Sequence, residues 1–304
     1  MTKKIGMMVL WTMLFCLLVF LIWLCEENNC GIGTVVFSVL IAFVFEKACH
    51  AIQDFFDTTN WKTSQRKLKR GGLIRNNDLI RISFAYLYRI KIENKYFLVK
   101  NSRNTCKYQP VGGVYKMEGN EKMVLKNSFH VVDDDKIPID NSSRDDYRLQ
   151  MENRYLRRFV RRFDSKKSER ERIDNVAREF REELIDSGIL DWNTIKYRYC
   201  GRHMTELKFG EHFQIYELLL ADVVELLPTP EQEQDLKKLM RIESEYYYFA
   251  TEKQITSLGV DTENGQLCEF IGDHTQKTLQ KNEEQLLKMP NTGKTYSVSI
   301  LEHT

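Results

Sequence analysis

The chain has 304 residues, and its 45 Lys and Arg against 43 Asp and Glu leave a formal net charge of only +2. That balance provides no global attraction for nucleic acid, so DNA is not an expected partner. The seven cysteines include no C-x-x-C pair and the six histidines are dispersed, which argues against both a zinc site and a disulfide-rich scaffold.

The apolar residues are concentrated at the start. Residues 5–25 are 21 consecutive uncharged residues, enough at about 1.5 Å per residue to cross the roughly 30 Å hydrocarbon core of a bilayer. After Glu26-Glu27-Asn28-Asn29, residues 30–45 form a second, shorter uncharged run, with snorkelling Lys47 or local bilayer thinning to make up its length. Lys3-Lys4 would also suit a cleaved signal peptide. The first run is too long for one, however, and no small-x-small cleavage site follows. The expectation is a transmembrane hairpin within residues 1–55, with helices at about 5–25 and 30–46.

Lys3 and Lys4 lie on one flank, and Lys47, Lys62, Arg66, Lys67, Lys69 and Arg70 on the other, while the turn carries two acids and no base. The positive-inside rule then predicts an inner-membrane protein with both termini cytoplasmic. Trp11 and Trp23 suit the interfaces, and Gly31, Gly33, Ser38 and Ala42 allow close helix packing, within one hairpin or between hairpins. Cys25 and Cys30 flank the outer turn and could bridge there. Residues 56–77 read as a basic linker containing Gly71-Gly72. Its bases suit either anionic lipid headgroups or solvent.

The cytosolic part is expected as one domain over residues 78–290 with a tail at 291–304. Residues 80–92 and 95–100 are rich in β-branched and aromatic residues and predict paired strands. Residues 108–115 approach the pair Gly112-Gly113. Residues 117–171 are polar and read as an insertion, near whose end Leu156, Phe159, Val160 and Phe163 recur at helical spacing. A helix is predicted over 173–187, with Asp174 as cap and Gly188 as stop, and strands over 194–209, 212–227 and 246–249. Short helices around 252–258 and 273–287 complete an α+β fold.

Within the long helix, Glu179, Glu182 and Glu183 stand at i, i+3 and i+4, so one face presents three carboxylates. Such a cluster suits Mg²⁺, with water and substrate phosphate completing the octahedron; a solvated acidic face explains the same spacing. The run Arg178-Glu179-Phe180-Arg181-Glu182-Glu183 resembles the R-E-apolar-x-E-E signature of the Nudix family, and Gly112-Gly113 resembles its glycine pair. The resemblance covers about residues 78–287 and implies a Nudix-like α/β/α sandwich with a mixed sheet. It also implies Glu179, Glu182 and Glu183 as metal-facing, Glu182 and Glu183 as catalytic if the protein is an enzyme, and Arg178 as a brace.

The family pattern places a glutamate after five residues beyond the second glycine, and seven more residues before the Arg-Glu pair. Here Gly119 occupies that glutamate position, the nearest acids are Glu118 and Glu121, and 56 residues separate Glu121 from Arg178. A two-helix hairpin joined to an interrupted Nudix domain resembles the membrane effectors of bacterial cyclic-oligonucleotide anti-phage signalling (CBASS). That resemblance implies a sensor in preference to a hydrolase: a cyclic di- or trinucleotide made by a nucleotide cyclase binds, the hairpins form homo-oligomers, and the inner membrane is disrupted. The rival is a membrane-tethered Mg²⁺-dependent hydrolase of nucleoside diphosphate derivatives. Candidate ligand contacts are Gly112, Gly113, Arg202 and His203 in a turn between strands, and Tyr86, for which core packing is the competing explanation.

Overall fold

The computed structural model describes residues 2–28, 30–56, 61–101, 106–140, 143–261 and 265–300. Residues Met1–Lys67 and Leu68–Thr304 form two separate compact units. In the first, helices α1 (Thr2–Glu27) and α2 (Gly31–Phe56) pack against each other, with the Phe15 and Phe45 rings 5.7 Å apart. Two stretches, Val9–Glu27 and Gly31–Cys49, are long and apolar enough to cross a membrane. Leu10, Leu17, Phe20, Ile32, Val39 and Phe43 are all exposed on them, as befits helices that are apolar on every side. Asn29, in the predicted turn, lies outside the described residues. Part of the expected linker is ordered: residues 57–60 lie outside the described residues, but Trp61–Arg70 form helix α3, which buries Trp61, Ser64 and Gln65 and exposes most of its bases.

The second unit is built on β1 (Leu79–Arg89), whose strict alternation sends Ile80, Ile82, Phe84, Tyr86 and Tyr88 into the core at no more than 1% exposure. A bend leads into β2 (Lys91–Ile92) and β3 (Lys95–Lys100), followed by β4 (Tyr108–Gln109) and β5 (Gly112–Val114). Helix α4 (Glu121–Phe129), β6 (Val132–Asp133), β7 (Arg148–Glu152) and α5 (Leu156–Phe163) come next, then α6 (Ala177–Phe180), which continues into one π-helical turn, Arg181–Ile185. The chain ends with β8 (Thr194–Met204), β9 (Lys208–Gly210), β10 (Ile215–Leu226), α7 (Pro230–Leu239), β11 (Tyr247–Thr251), α8 (Glu252–Thr256) and β12 (Thr295–Ser299).

The main sheet runs β12-β8-β10-β1-β7-β6, with β9 on β10 and β5 on β1. It is mixed: β1 and β10 are parallel, and its other pairs are antiparallel. A smaller sheet joins β11, β3, β2 and β4. The α+β fold with a mixed sheet behind two apolar helices is therefore as expected. Helix α5 buries Leu156, Phe159, Val160 and Phe163, as their spacing predicts, and packs Phe159 and Phe163 onto Phe84. On the same face Tyr88 meets Phe180 of α6, with ring centroids 5.4 Å apart. On the opposite face fully buried Arg89 donates to the Thr278 and Leu279 carbonyls, tying 3-10 turns at Asp273–Thr278 and Gln280–Gln285 to the sheet.

Several expectations are corrected. The insertion expected over 117–171 carries strands of the main sheet: β7 pairs with Leu79–Ser83 of β1, directly below the segment where β5 pairs, and β6 pairs with β7. Residues 295–299 of the expected tail form edge strand β12 on β8, although 301–304 lie outside the described residues. The helix expected over 173–187 is shorter, and Val176 rather than Asp174 precedes its first residue. The expected last helix consists of the 3-10 turns. Helix α7 was not anticipated, although Thr229-Pro230-Glu231-Gln232 spells a capping box with proline at the first helical position.

Candidate functional site

Two glycines allow the acidic helix to approach the sheet. Gly112 and Gly113 pair with Leu87 and Tyr86 of β1. A Cβ at Gly113 would lie 1.9 Å from a Glu179 carboxylate oxygen, and at Gly112, where φ is +144°, 2.3 Å from the Tyr86 carbonyl. No side chain fits at Gly112, and one at Gly113 would displace the Glu179 carboxylate. The freed Gly112 N–H donates to Glu183 Oε2 at 2.9 Å.

Arg178 holds the rest together. It donates to Glu179 Oε1 at 2.6 Å, to the Val114 carbonyl at 2.9 Å and to Glu171 Oε2 at 3.2 Å, and lies 3.5 Å from Glu182. Buried Glu171 also accepts from the Tyr86 hydroxyl at 2.9 Å and the Lys116 N–H at 3.3 Å. Burial raises the pKa of Glu171 and of Glu179 against the opposing pull of Arg178. The Glu183 carboxyl is pushed up to about 8, first by burial and then by the charges of Glu179 and Glu182, despite the Gly112 hydrogen bond.

Spacing counted forward from Gly113 does not reach Glu171. Counted backward from Arg178, Glu171 stands with six residues between the two, one fewer than the seven of the family pattern. The insertion therefore lies between the glycine pair and this glutamate. It leaves the strand at Met117 and returns at Arg170, where the two residues form an antiparallel bridge, and Glu171 N–H donates to the Lys116 carbonyl at 3.0 Å. The long excursion is closed at its base and the loop–helix geometry is rebuilt. Glu121, the acid that spacing suggested, is fully buried inside the insertion, held bidentately by Arg162 and bonded to Ser168 and Tyr147.

The three acidic residues line an open cleft of about 700 Å³. Its floor is the odd-numbered face of β1, Arg81, Ser83, Ala85 and Leu87, with Leu219 and Ala221 of β10. The side chains of Arg81, Lys116, Arg148, Arg178 and Lys277 and the His274 imidazole share the cleft with the acids. Burial lowers the pKa of Lys277, the first influence on it. Facing acids and bases in one cleft suits a phosphate-bearing ligand.

Among the described residues no three His, Cys, Asp or Glu side chains close into an all-protein metal cage. Mg²⁺ does not need one, since it commonly takes one or two carboxylates and completes its shell with water and substrate phosphate. After burial, the charges of Glu179 and Glu182 also raise the Glu183 pKa, so neighbouring carboxylates stand ready to serve as the few protein ligands a hydrated divalent ion needs.

Three of the candidate ligand contacts lie elsewhere. Tyr86 is fully buried on the even face of β1, its ring 5.1 Å from that of Tyr115, so it cannot stack a base in the cleft. Its hydroxyl instead fixes Glu171. Arg202 is near the end of β8, paired with Asp222 of β10, and not in a turn. It is buried against Asp222 at 2.8 and 3.0 Å and against Asp164 at 2.6 Å. His203 is in the same strand, outside the residues lining the cleft, with Nδ1 buried and unpartnered and its pKa pushed down to about 4 by burial and nearby Lys277.

No curated protein and no solved structure matches the chain significantly. The family model described as the SMODS-associated NUDIX domain matches residues 79–279. This match spans β1, the glycine pair, the insertion, the Arg178 cluster and the Lys277 turn, and the chain belongs to the SMODS-associated NUDIX domain family.

Proposed function

We propose that this protein is a membrane effector of anti-phage defence, in which the Nudix cleft binds a cyclic di- or trinucleotide and the apolar hairpins assemble and breach the inner membrane. The observation that carries this reading is one chain joining a defence-associated Nudix domain over 79–279 to two helices long and apolar enough to span a bilayer. The cleft supports it, because Lys116, Arg148 and Lys277 line it and can donate to phosphate, while Arg81 and Arg178 are held by ion pairs within the protein. Both termini are cytoplasmic in this reading, so ligand and cleft share a compartment. A ligand that prefers the assembled state shifts the population toward it, and a 1:99 to 99:1 shift needs about 10⁴-fold preference.

The test is dye leakage from liposomes carrying the full-length protein, on addition of a panel of cyclic di- and trinucleotides. Leakage with one member, lost when Lys116 and Lys277 are both changed to Gln, is expected. A full panel without binding or leakage overturns the proposal.

One observation favours a second reading, a membrane-tethered hydrolase of nucleoside diphosphate derivatives. Glu171 restores the brace on Arg178 that the insertion appeared to remove. Mg²⁺ held by one or two of Glu179, Glu182 and Glu183 would polarise a phosphate or lower the pKa of a bound water. The chain's own residues orient the carboxylates through Arg178 and the Gly112 N–H and hold phosphate with Lys116 and Lys277. Turnover of nucleoside diphosphate derivatives at ordinary enzymatic rates, abolished by Glu183→Gln, would favour this reading over the sensor.

A further inference from the structure

The structure assigns Cys25 and Cys30 as an intramolecular dithiol–disulfide site that staples the outer turn of the hairpin. Both are free thiols, Cys30 exposed and Cys25 half-buried. The Cys30 N–H donates to the Cys25 carbonyl at 2.8 Å. A direct backbone hydrogen bond holds two Cα atoms within the roughly 7 Å beyond which a disulfide cannot close. The side chains converge as well as the backbones. The position a Cβ would take at Gly33 lies 2.7 Å from Cys25 Sγ and 3.4 Å from Cys30 Sγ. Both sulfurs therefore flank one small space, and it exists only because residue 33 has no side chain. The turn is further fixed by Asn28, whose side chain and N–H both donate to the Leu24 carbonyl. The remaining five cysteines have no such arrangement in their favour: Cys16 and Cys49 lie within the apolar helices, and Cys106, Cys200 and Cys268 are in the other unit.

The site rests on the topology proposed above, which puts the turn on the oxidising side of the membrane, where disulfides persist. The chemistry needs a thiol–disulfide oxidase of that compartment. The exposed Cys30 thiolate attacks the oxidase disulfide and forms a mixed disulfide, and the Cys25 thiolate then displaces the oxidase. One S–S bond forms here and one breaks in the oxidase, which takes up both electrons and, through solvent, the two thiol protons, and leaves as a dithiol. The bridge ties the last turn of α1 to the start of α2, so every hairpin enters assembly with the same outer geometry.

The test is thiol labelling of the full-length protein in intact cells with a membrane-impermeant maleimide, before and after a membrane-impermeant phosphine reductant. The expected result is labelling only after reduction, a monomer on non-reducing gels, and a mass short by two hydrogens that reduction restores. A Cys25→Ser/Cys30→Ser variant should lose the reduction-dependent label. Labelling without reduction leaves the topology standing but overturns the bridge, as does a reducible dimer. Labelling only after the membrane is permeabilised overturns the topology and the bridge together. Reduction-dependent labelling that survives in the double variant assigns the signal to other cysteines and also overturns the proposal.

Discussion

Glu171 is the residue on which the rebuilt loop–helix depends, so its removal tests the whole arrangement. Glu171→Ala strips the partner from the fully buried Tyr86 hydroxyl and one of three acceptors from half-buried Arg178. Breaking a buried ion pair by deleting one partner costs about 3–5 kcal/mol. Arg178 keeps Glu179 and the Val114 carbonyl, which brings the expected loss to about 2–3 kcal/mol, as for a buried donor left without its acceptor. At about 2–4 °C per kcal/mol for a unit of this size, the melting midpoint should fall by roughly 4–12 °C. Glu171→Gln keeps an acceptor for Tyr86 and should lose about half as much. The assay is thermal unfolding of the detergent-solubilised full chain, with and without Mg²⁺. Mg²⁺-dependent stabilisation should shrink in both variants, because Arg178 no longer fixes Glu179. Glu121→Gln provides the contrast: it also weakens the fold through Arg162 and Tyr147, yet should leave the Mg²⁺ response intact. A Glu171→Ala midpoint within about 2 °C of the wild type, with an unchanged Mg²⁺ response, would refute the assignment.

Gly113→Ala should fold with a penalty of about 1–3 kcal/mol for overpacking and lower binding or turnover about 10²-fold, because the new methyl meets the Glu179 carboxylate; titrating ligand against the purified variant checks this. Arg202→Met should destabilise the protein by about 3–5 kcal/mol without a separate effect on ligand affinity, since it leaves Asp222 buried with only two tyrosine hydroxyls. Lost affinity at unchanged stability would instead return Arg202 to the binding site. His203, with its folded pKa lowered to about 4, makes the unfolded chain bind more protons between about pH 6.5 and 4. Its contribution to stability is therefore full above about pH 6.5 and is lost as the pH falls toward 4. His203→Gln should flatten that part of a denaturation-versus-pH curve, and an unaltered acid limb would remove His203 as its source.

Features governed by neighbours along the chain were legible from the residues alone. The apolar helices follow from run length, α5 from four apolar residues at helical spacing, and β1 from its alternation. The acidic cluster and the glycine pair were also legible, since both are local patterns. Alternation in β1 even contained the answer for Tyr86: it shares a face with Phe84 and Tyr88 and lies opposite Ala85 and Leu87, which line the cleft.

Only the tertiary structure decided which distant residues complete those patterns. Glu171 and Gly113 are joined by a 57-residue excursion whose net displacement is small, because Met117 and Arg170 close its base. Chain spacing measures contour length, whereas a carboxylate's role depends on distance through space, and an insertion alters the first without altering the second. Arg202 and Asp222 show the same separation: an exposed basic turn in the sequence is a buried ion pair once β8 lies beside β10. The sequence therefore determined the hairpin, the fold class and the acidic helix. Strand pairing determined that the insertion preserves the site, and which charged residues are spent inside the core.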